Sequence, residues 1–91
     1  MDTKQQRIQD LYRLIADISD PEVIAALFDD LCTRKELQNM AERVFAEKLL
    51  MEGKTYSQVM TEADISSATL SRVSRCVQYG SGYKQVLGNK E

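Results

Sequence analysis

Between Ser66 and Arg75 the chain reads SSATLSRVSR, a run of short hydroxyl-bearing side chains closed by two guanidinium groups. The chemistry it offers is non-covalent. Hydroxyls on Ser66, Ser67, Thr69 and Ser71 can donate and accept hydrogen bonds at close range. The Ala68 methyl makes apolar contacts, and Arg72 and Arg75 pair with phosphate. Small residues in the first turn of a helix also let backbone amides approach an anion closely. Upstream, Ser57 and Gln58 stand near the start of a preceding helix and add phosphate contacts. Together these residues imply a helix-turn-helix over about residues 55–77 that meets a DNA major groove. Ser57, Gln58, Arg72 and Arg75 would hold the backbone, while Ser67, Ala68, Thr69 and Ser71 face base edges. The long side chains that give bidentate readout are missing from that face, so specificity is expected to lean on water bridges, methyl contacts and DNA shape.

Two helices must position those groups. Thr55 with Gln58 three residues later is a capping box for the first, which runs through Ala63, and Ser66 caps the second. Val59 and Ala63 lie four apart, Ile65 follows the turn, and Leu70 and Val73 lie three apart, so the five can share one small core. Two residues depart from the generic motif. Met60 stands where a small residue is usual and is expected to point outward. Asp64 occupies the turn position that glycine usually fills, and Asp tolerates a left-handed backbone better than most residues. The alternative reading of the segment is an ordinary helical hairpin with a polar surface.

The remainder reads as helices joined by short turns. A first helix spans roughly residues 3–18, with Ile8, Leu11, Tyr12 and Ile15 in helical register and Leu14 and Ile18 widening the stripe. So wide a stripe asks for more than one packing partner. Asp20-Pro21 opens a second helix marked by Ile24, Leu27, Phe28 and Leu31. Thr33 with Glu36 opens a third, running to about Glu52, with Leu37, Met40, Ala41, Val44 and Leu49 inward and Gly53 as its stop. Tyr79 and Gly80 end the reading helix, and Tyr83 to Leu87 form a last short one. No alternation of β-branched residues predicts a strand, so the fold class is all-α.

Catalysis is not expected. The 91 residues include no histidine, and no serine or cysteine has an evident activating partner. Asp29 and Asp30 are adjacent, which on a helix turns them about 100° apart. Gly80-Ser81-Gly82 lacks the lysine and the strand of a phosphate loop. Cys32 and Cys76 have no metal-ligand spacing, so no metal and no cofactor are expected, and both read as free, mostly buried thiols. No apolar run would span a membrane or serve as a signal peptide, which predicts a cytoplasmic protein. The net charge of −2 argues mildly against nucleic acid, but it is unevenly spread. Residues 1–65 hold eight Lys/Arg against thirteen Asp/Glu, whereas residues 66–91 hold Arg72, Arg75, Lys84 and Lys90 against Glu91 alone. An acidic body with a basic head is compatible with DNA.

Two stretches resemble the Trp repressor family. LCTRKELQNMAERV at 31–44, followed by a leucine-rich run and Gly53, resembles that family's third-helix region, and ATLSR at 68–72 resembles the core of its recognition helix. The wording is most similar to the YerC/YecD branch. The resemblance covers about residues 20–80 and implies a six-helix fold, a single domain over 1–91 and an intertwined homodimer with two reading heads on a palindromic operator. It implies an effector site at Thr33, Arg43 and Arg72, where two guanidinium planes could sandwich a flat ligand, although Arg43 pairing with Glu42 or Glu47 is the competing reading. Val73 stands where the repressor has a glycine, and Phe45 where it has another basic residue. Both crowd or alter the wall against an indole, so an effector other than tryptophan is expected.

The expectation is therefore a sequence-specific, DNA-binding transcriptional regulator, a repressor acting as a homodimer. The alternative is a helical protein-interaction module whose helix-turn-helix does not read DNA.

Overall fold

A computed structural model describes residues 3–79 and 81–88, with the backbone alone at 77–79. Among these residues six helices follow one another: α1 (Lys4–Ala16), α2 (Pro21–Leu31), α3 (Arg34–Met51), α4 (Tyr56–Ala63), α5 (Ser67–Tyr79) and α6 (Gly82–Leu87). No strand occurs among the described residues. The all-α expectation holds, with α1 shorter at its C-terminal end and α6 beginning one residue earlier than the sequence suggests. Gly80, the expected stop of α5, lies outside the described residues. Among the described residues no helix is long and apolar enough to cross a membrane.

The chain divides into two compact units, residues 1–34 and 35–91. In the first, Thr3 Oγ1 accepts from the Gln6 N–H at 3.0 Å and caps α1, and Asp20 Oδ1 accepts from the Glu22 N–H at 3.0 Å and caps α2 ahead of Pro21. Neither helix contains a buried residue. Tyr12 is 59% exposed and Leu14 53%, so the apolar stripe of α1 stands open.

The second unit holds the core. Ala46 and Leu49 of α3 meet Val59 and Ala63 of α4 and Leu70 of α5, with Leu50, Met60 and Ile65 packed against them. Val73 is fully buried on α5. Four of the five side chains expected to form the shared core are buried, and Ile65 is half-buried against it. Met60, expected to point outward, instead packs on this core, because its flexible thioether can fold back over a small gap.

On α3 the inward face also differs from expectation. Ala41 and Val44 are exposed, Leu37 and Met40 half-buried, while Ala46 and Glu47 are enclosed beside Leu49. The apolar register selected 37, 40, 41 and 44, whereas α4 and α5 cover the C-terminal half of the helix, where a carboxylate falls inside. The thiols are another correction. Cys32 is half-buried and Cys76 exposed, both free, and Cys76 borders an apolar cavity beside α6 instead of lying in the core.

Glu47 is the anomaly of this interior. Its side chain is wholly buried and neither carboxylate oxygen has a hydrogen-bond partner. Burial raises its pKa above the ordinary 4.5, with the Lys84 ammonium opposing. A carboxyl raised in the folded state stabilises fully below its unfolded value, and that contribution is lost as pH rises through the folded value. Glu47→Leu removes the orphaned oxygens at similar volume and should stabilise the protein at pH 7 by about 1–3 kcal/mol. The gain should shrink as pH falls toward 4.5. Urea unfolding of both proteins across this range checks it, and an equal pH dependence in the two would refute the assignment.

Candidate nucleic-acid interface

The segment singled out by its chemistry is built by local backbone rules. Gly53 at φ +89° ends α3, with the Lys54 N–H reaching Leu49 O at 3.2 Å and the Gly53 N–H reaching Leu50 O at 3.0 Å. That pair of bonds satisfies carbonyls the helix end would leave open. Two residues later Thr55 Oγ1 accepts from the Gln58 N–H at 3.2 Å while Gln58 Oε1 accepts from the Thr55 N–H at 2.9 Å, so the expected capping box is complete. Lys54 and Glu62 form an ion pair at 3.5 Å across α4. Asp64 then closes α4 in the left-handed conformation, φ 55° and ψ 50°, and the Ile65 N–H bonds back to Met60 O at 3.3 Å. A glycine is not required there, because Asp pays less than other L-residues for that backbone.

Ser66 launches α5. Its Oγ accepts from the Thr69 N–H at 3.1 Å, which satisfies one orphan donor, and its hydroxyl donates to Thr69 Oγ1 at 3.1 Å. Tyr56 donates its phenol O–H to Ser74 Oγ, tying the first turn of α4 to the middle of α5. Neither residue was selected from the sequence, since a tyrosine just after a helix cap carries no periodic signal.

The outward face of α5 carries Ser67, Ala68, Ser71, Arg72 and Arg75, all exposed. Ser66 is exposed at its start, and Ser57 and Gln58 are exposed on the first turn of α4. Thr69 is half-buried, with its hydroxyl held by Ser66, and it turns toward α3 rather than standing fully on the outer face. Arg72 and Arg75 follow Val73 and Leu70 around the helix, so the guanidinium groups stand opposite the buried stripe. The arrangement can hold an anionic backbone by charge and present a shallow surface of hydroxyls and one methyl.

Of the effector residues implied by resemblance, Arg43 is half-buried and Arg72 exposed. Thr33 belongs to the first unit. Arg43 forms no ion pair with Glu42 or Glu47 and lines a polar cavity of about 240 Å³ with residues of the α4–α5 turn. Arg43 and Arg72 both act on Tyr83 of α6. Burial pushes that phenol above its ordinary value of 10, Cys76 adds to the shift, Arg43 opposes it, and Glu47 and Arg72 follow with opposite signs. The chain's own aromatic ring thus lies within electrostatic reach of both arginines, which sequence periodicity alone did not reveal. Tyr83 also borders an apolar cavity of about 520 Å³ with Val44, Cys76, Val86 and Leu87.

Comparison with known proteins places this geometry. A protein of Bacillus subtilis (strain 168) named uncharacterized protein YerC is 41% identical over 83 residues, covering 90% of this chain and 80% of that protein. A crystal structure from Staphylococcus aureus, titled as a candidate Trp repressor, superposes with a TM-score of 0.86 at 34% identity, covering 90% of this chain and 83% of the other. The family described as Trp repressor protein matches residues 6–91. With six helices in the order described and a match over nearly its whole length, the chain belongs to the Trp repressor protein family.

Proposed function

We propose that residues 1–91 form one DNA-binding domain of a transcriptional repressor that binds a palindromic operator as an intertwined homodimer. Family membership makes a transcription regulator the coarse reading. The observation that supports the finer one is the α4–α5 unit. Val59, Ala63, Leu70 and Val73 are turned inward, and the opposite side of α5 is a polar, shallow face ending in Arg72 and Arg75. An α-helix with small N-terminal residues fits the width of a major groove, and its two arginines supply the sequence-independent attraction to phosphate. Ser57, Gln58 and Ser66 extend the phosphate contacts, and Ser67, Ala68 and Ser71 read base edges, with Thr69, half-buried and bonded to Ser66, at the edge of that face. Gln58 keeps its amide N–H groups for that purpose, because its cap uses only Oε1.

The dimer reading draws on the N-terminal helices. Ile8, Tyr12, Leu14, Val23 and Leu31 are all exposed, a larger apolar display than a soluble monomer usually carries. A second copy that interlocks its own α1 and α2 with these faces would bury them and set two reading heads about one DNA turn apart. Arg43 gives the protein a means of responding to a small molecule other than tryptophan.

Ala68→Glu leaves the core untouched and puts a carboxylate on the reading face, so it should abolish DNA binding at an unchanged circular dichroism spectrum. If DNA binding persists, α5 does not enter the groove and the interaction-module reading gains. Arg72→Ala should weaken binding to all duplexes and lower the slope of log K against log salt by about one phosphate contact. Fluorescence anisotropy at several salt concentrations measures it, and an unchanged slope would place Arg72 elsewhere. Leu14→Glu should convert a dimer to a monomer in light scattering, with DNA affinity falling alongside. A wild-type protein that is already monomeric at micromolar concentration would contradict the dimer.

A further inference from the structure

Val59 and Ala63 of α4 share one buried apolar cluster with Leu70 of α5. Such contact is strong but non-directional, so it sets the mean angle between the helices without closely limiting the swing about it. Where the two helices join, directional bonds complete the job: the Ile65 N–H reaches Met60 O, and Ser66 caps α5. Away from the turn another bond is needed.

Tyr56 supplies it from the first turn of α4. Its phenol donates to Ser74 Oγ, eighteen residues away and beyond the middle of α5. Among the described residues this is the one side-chain hydrogen bond that joins the two helices, since the capping box and the Lys54–Glu62 pair stay on α4 and the Ser66 cap stays on α5. Ser74 is half-buried, four residues after Leu70 and three after Ser71, which places it on the rim between the buried stripe and the outward face. The turn at one end and the phenol at the other therefore triangulate α5 on α4. A tyrosine has only two side-chain torsions, so a bond at its tip leaves little slack.

That slack decides what the outward face can do. Ser67, Ala68 and Ser71 have short side chains that cannot extend to follow a displaced base edge, and constellations of this kind work only when held to within about 0.5 Å. Arg72 and Arg75 have long, flexible stems that adapt to a phosphate wherever it lies. A swinging α5 thus loses sequence readout before it loses attraction to the DNA backbone.

We propose that Tyr56 is a positioning residue, whose bond to Ser74 narrows the swing of α5 and thereby lets short side chains tell one duplex from another. The effect on DNA rests on the function proposed above, whereas the restraint on α5 does not.

Tyr56→Phe keeps the ring and removes the hydroxyl, and Ser74→Ala removes the acceptor. The DNA probes are a duplex selected from a randomised pool by the parent protein and a scrambled duplex of the same composition, followed by fluorescence anisotropy. Each variant should reduce the ratio of the two affinities by roughly five-fold or more, with scrambled binding within about two-fold of the parent and an unchanged salt slope. The double variant should lose no more than either single one, because all three lack the same bond. Equal loss on both duplexes, or losses that add in the double variant, overturns the proposal. Amide hydrogen exchange without DNA reads the restraint directly: residues 67–75 should exchange roughly three-fold faster or more in both variants at unchanged circular dichroism. Exchange equal to the parent's overturns the restraint. A parent that selects no duplex defeats the DNA-reading function and the readout role with it, while exchange still decides whether Tyr56 holds α5.

Discussion

Everything that could touch DNA or a ligand hangs on the close packing of Val59 and Leu70 against Ala46. All three are fully enclosed in one cluster that joins α3, α4 and α5. Burying a Val or Leu side chain is worth about 1.5–3 kcal/mol, so a handful of such residues accounts for the local stability of the unit. The helices themselves are too short to persist alone, α4 having eight residues. Their mutual angle therefore follows from this contact and from the two left-handed residues, Gly53 and Asp64, that bracket α4.

The parts of the fold governed by short-range rules were legible in the sequence. Thr55 with Gln58, Asp20 with Pro21, Gly53 and Ser66 each act within a few residues of themselves, and each does in the structure what its type implies. The core of α4 and α5 was legible for the same reason, because its members sit at helical spacing on two adjacent helices. What failed depended on coverage from elsewhere. Periodicity can say that one face of α3 is apolar but not which half of the helix is covered, so Val44 reads as inward and Glu47 only as a candidate partner of Arg43, with no signal of its burial. Tyr83 was read as a docking edge and not as a neighbour of Arg43 and Arg72, since that proximity is set by α6 folding back. Family resemblance supplied the fold and named Arg43, but the cavity it lines is bounded by turn residues that no motif connects to it.

Charge is arranged by depth as well as by sequence. Acidic side chains crowd the first sixty-five residues, yet among the described residues the one buried carboxylate is Glu47, inside α3. The basic groups of α5 are exposed, where water and salt screen them and where they remain available to an incoming polyanion. Arg43 is intermediate, half-buried and without an ion pair among the described residues, a position in which a single carboxylate partner interacts more strongly than it would on the surface.

The left-handed Asp64 has an evolutionary consequence. Only glycine, asparagine and aspartate occupy such a backbone cheaply, so the position can drift among few residue types. Within that short alphabet the choice changes the chemistry of the turn without changing its path. Glycine removes the carboxylate, asparagine keeps its shape without charge, and aspartate keeps both. Paralogues could therefore diverge in what the turn attracts while the helices on either side stay where they are, which makes residue 64 a site of functional divergence on an invariant scaffold.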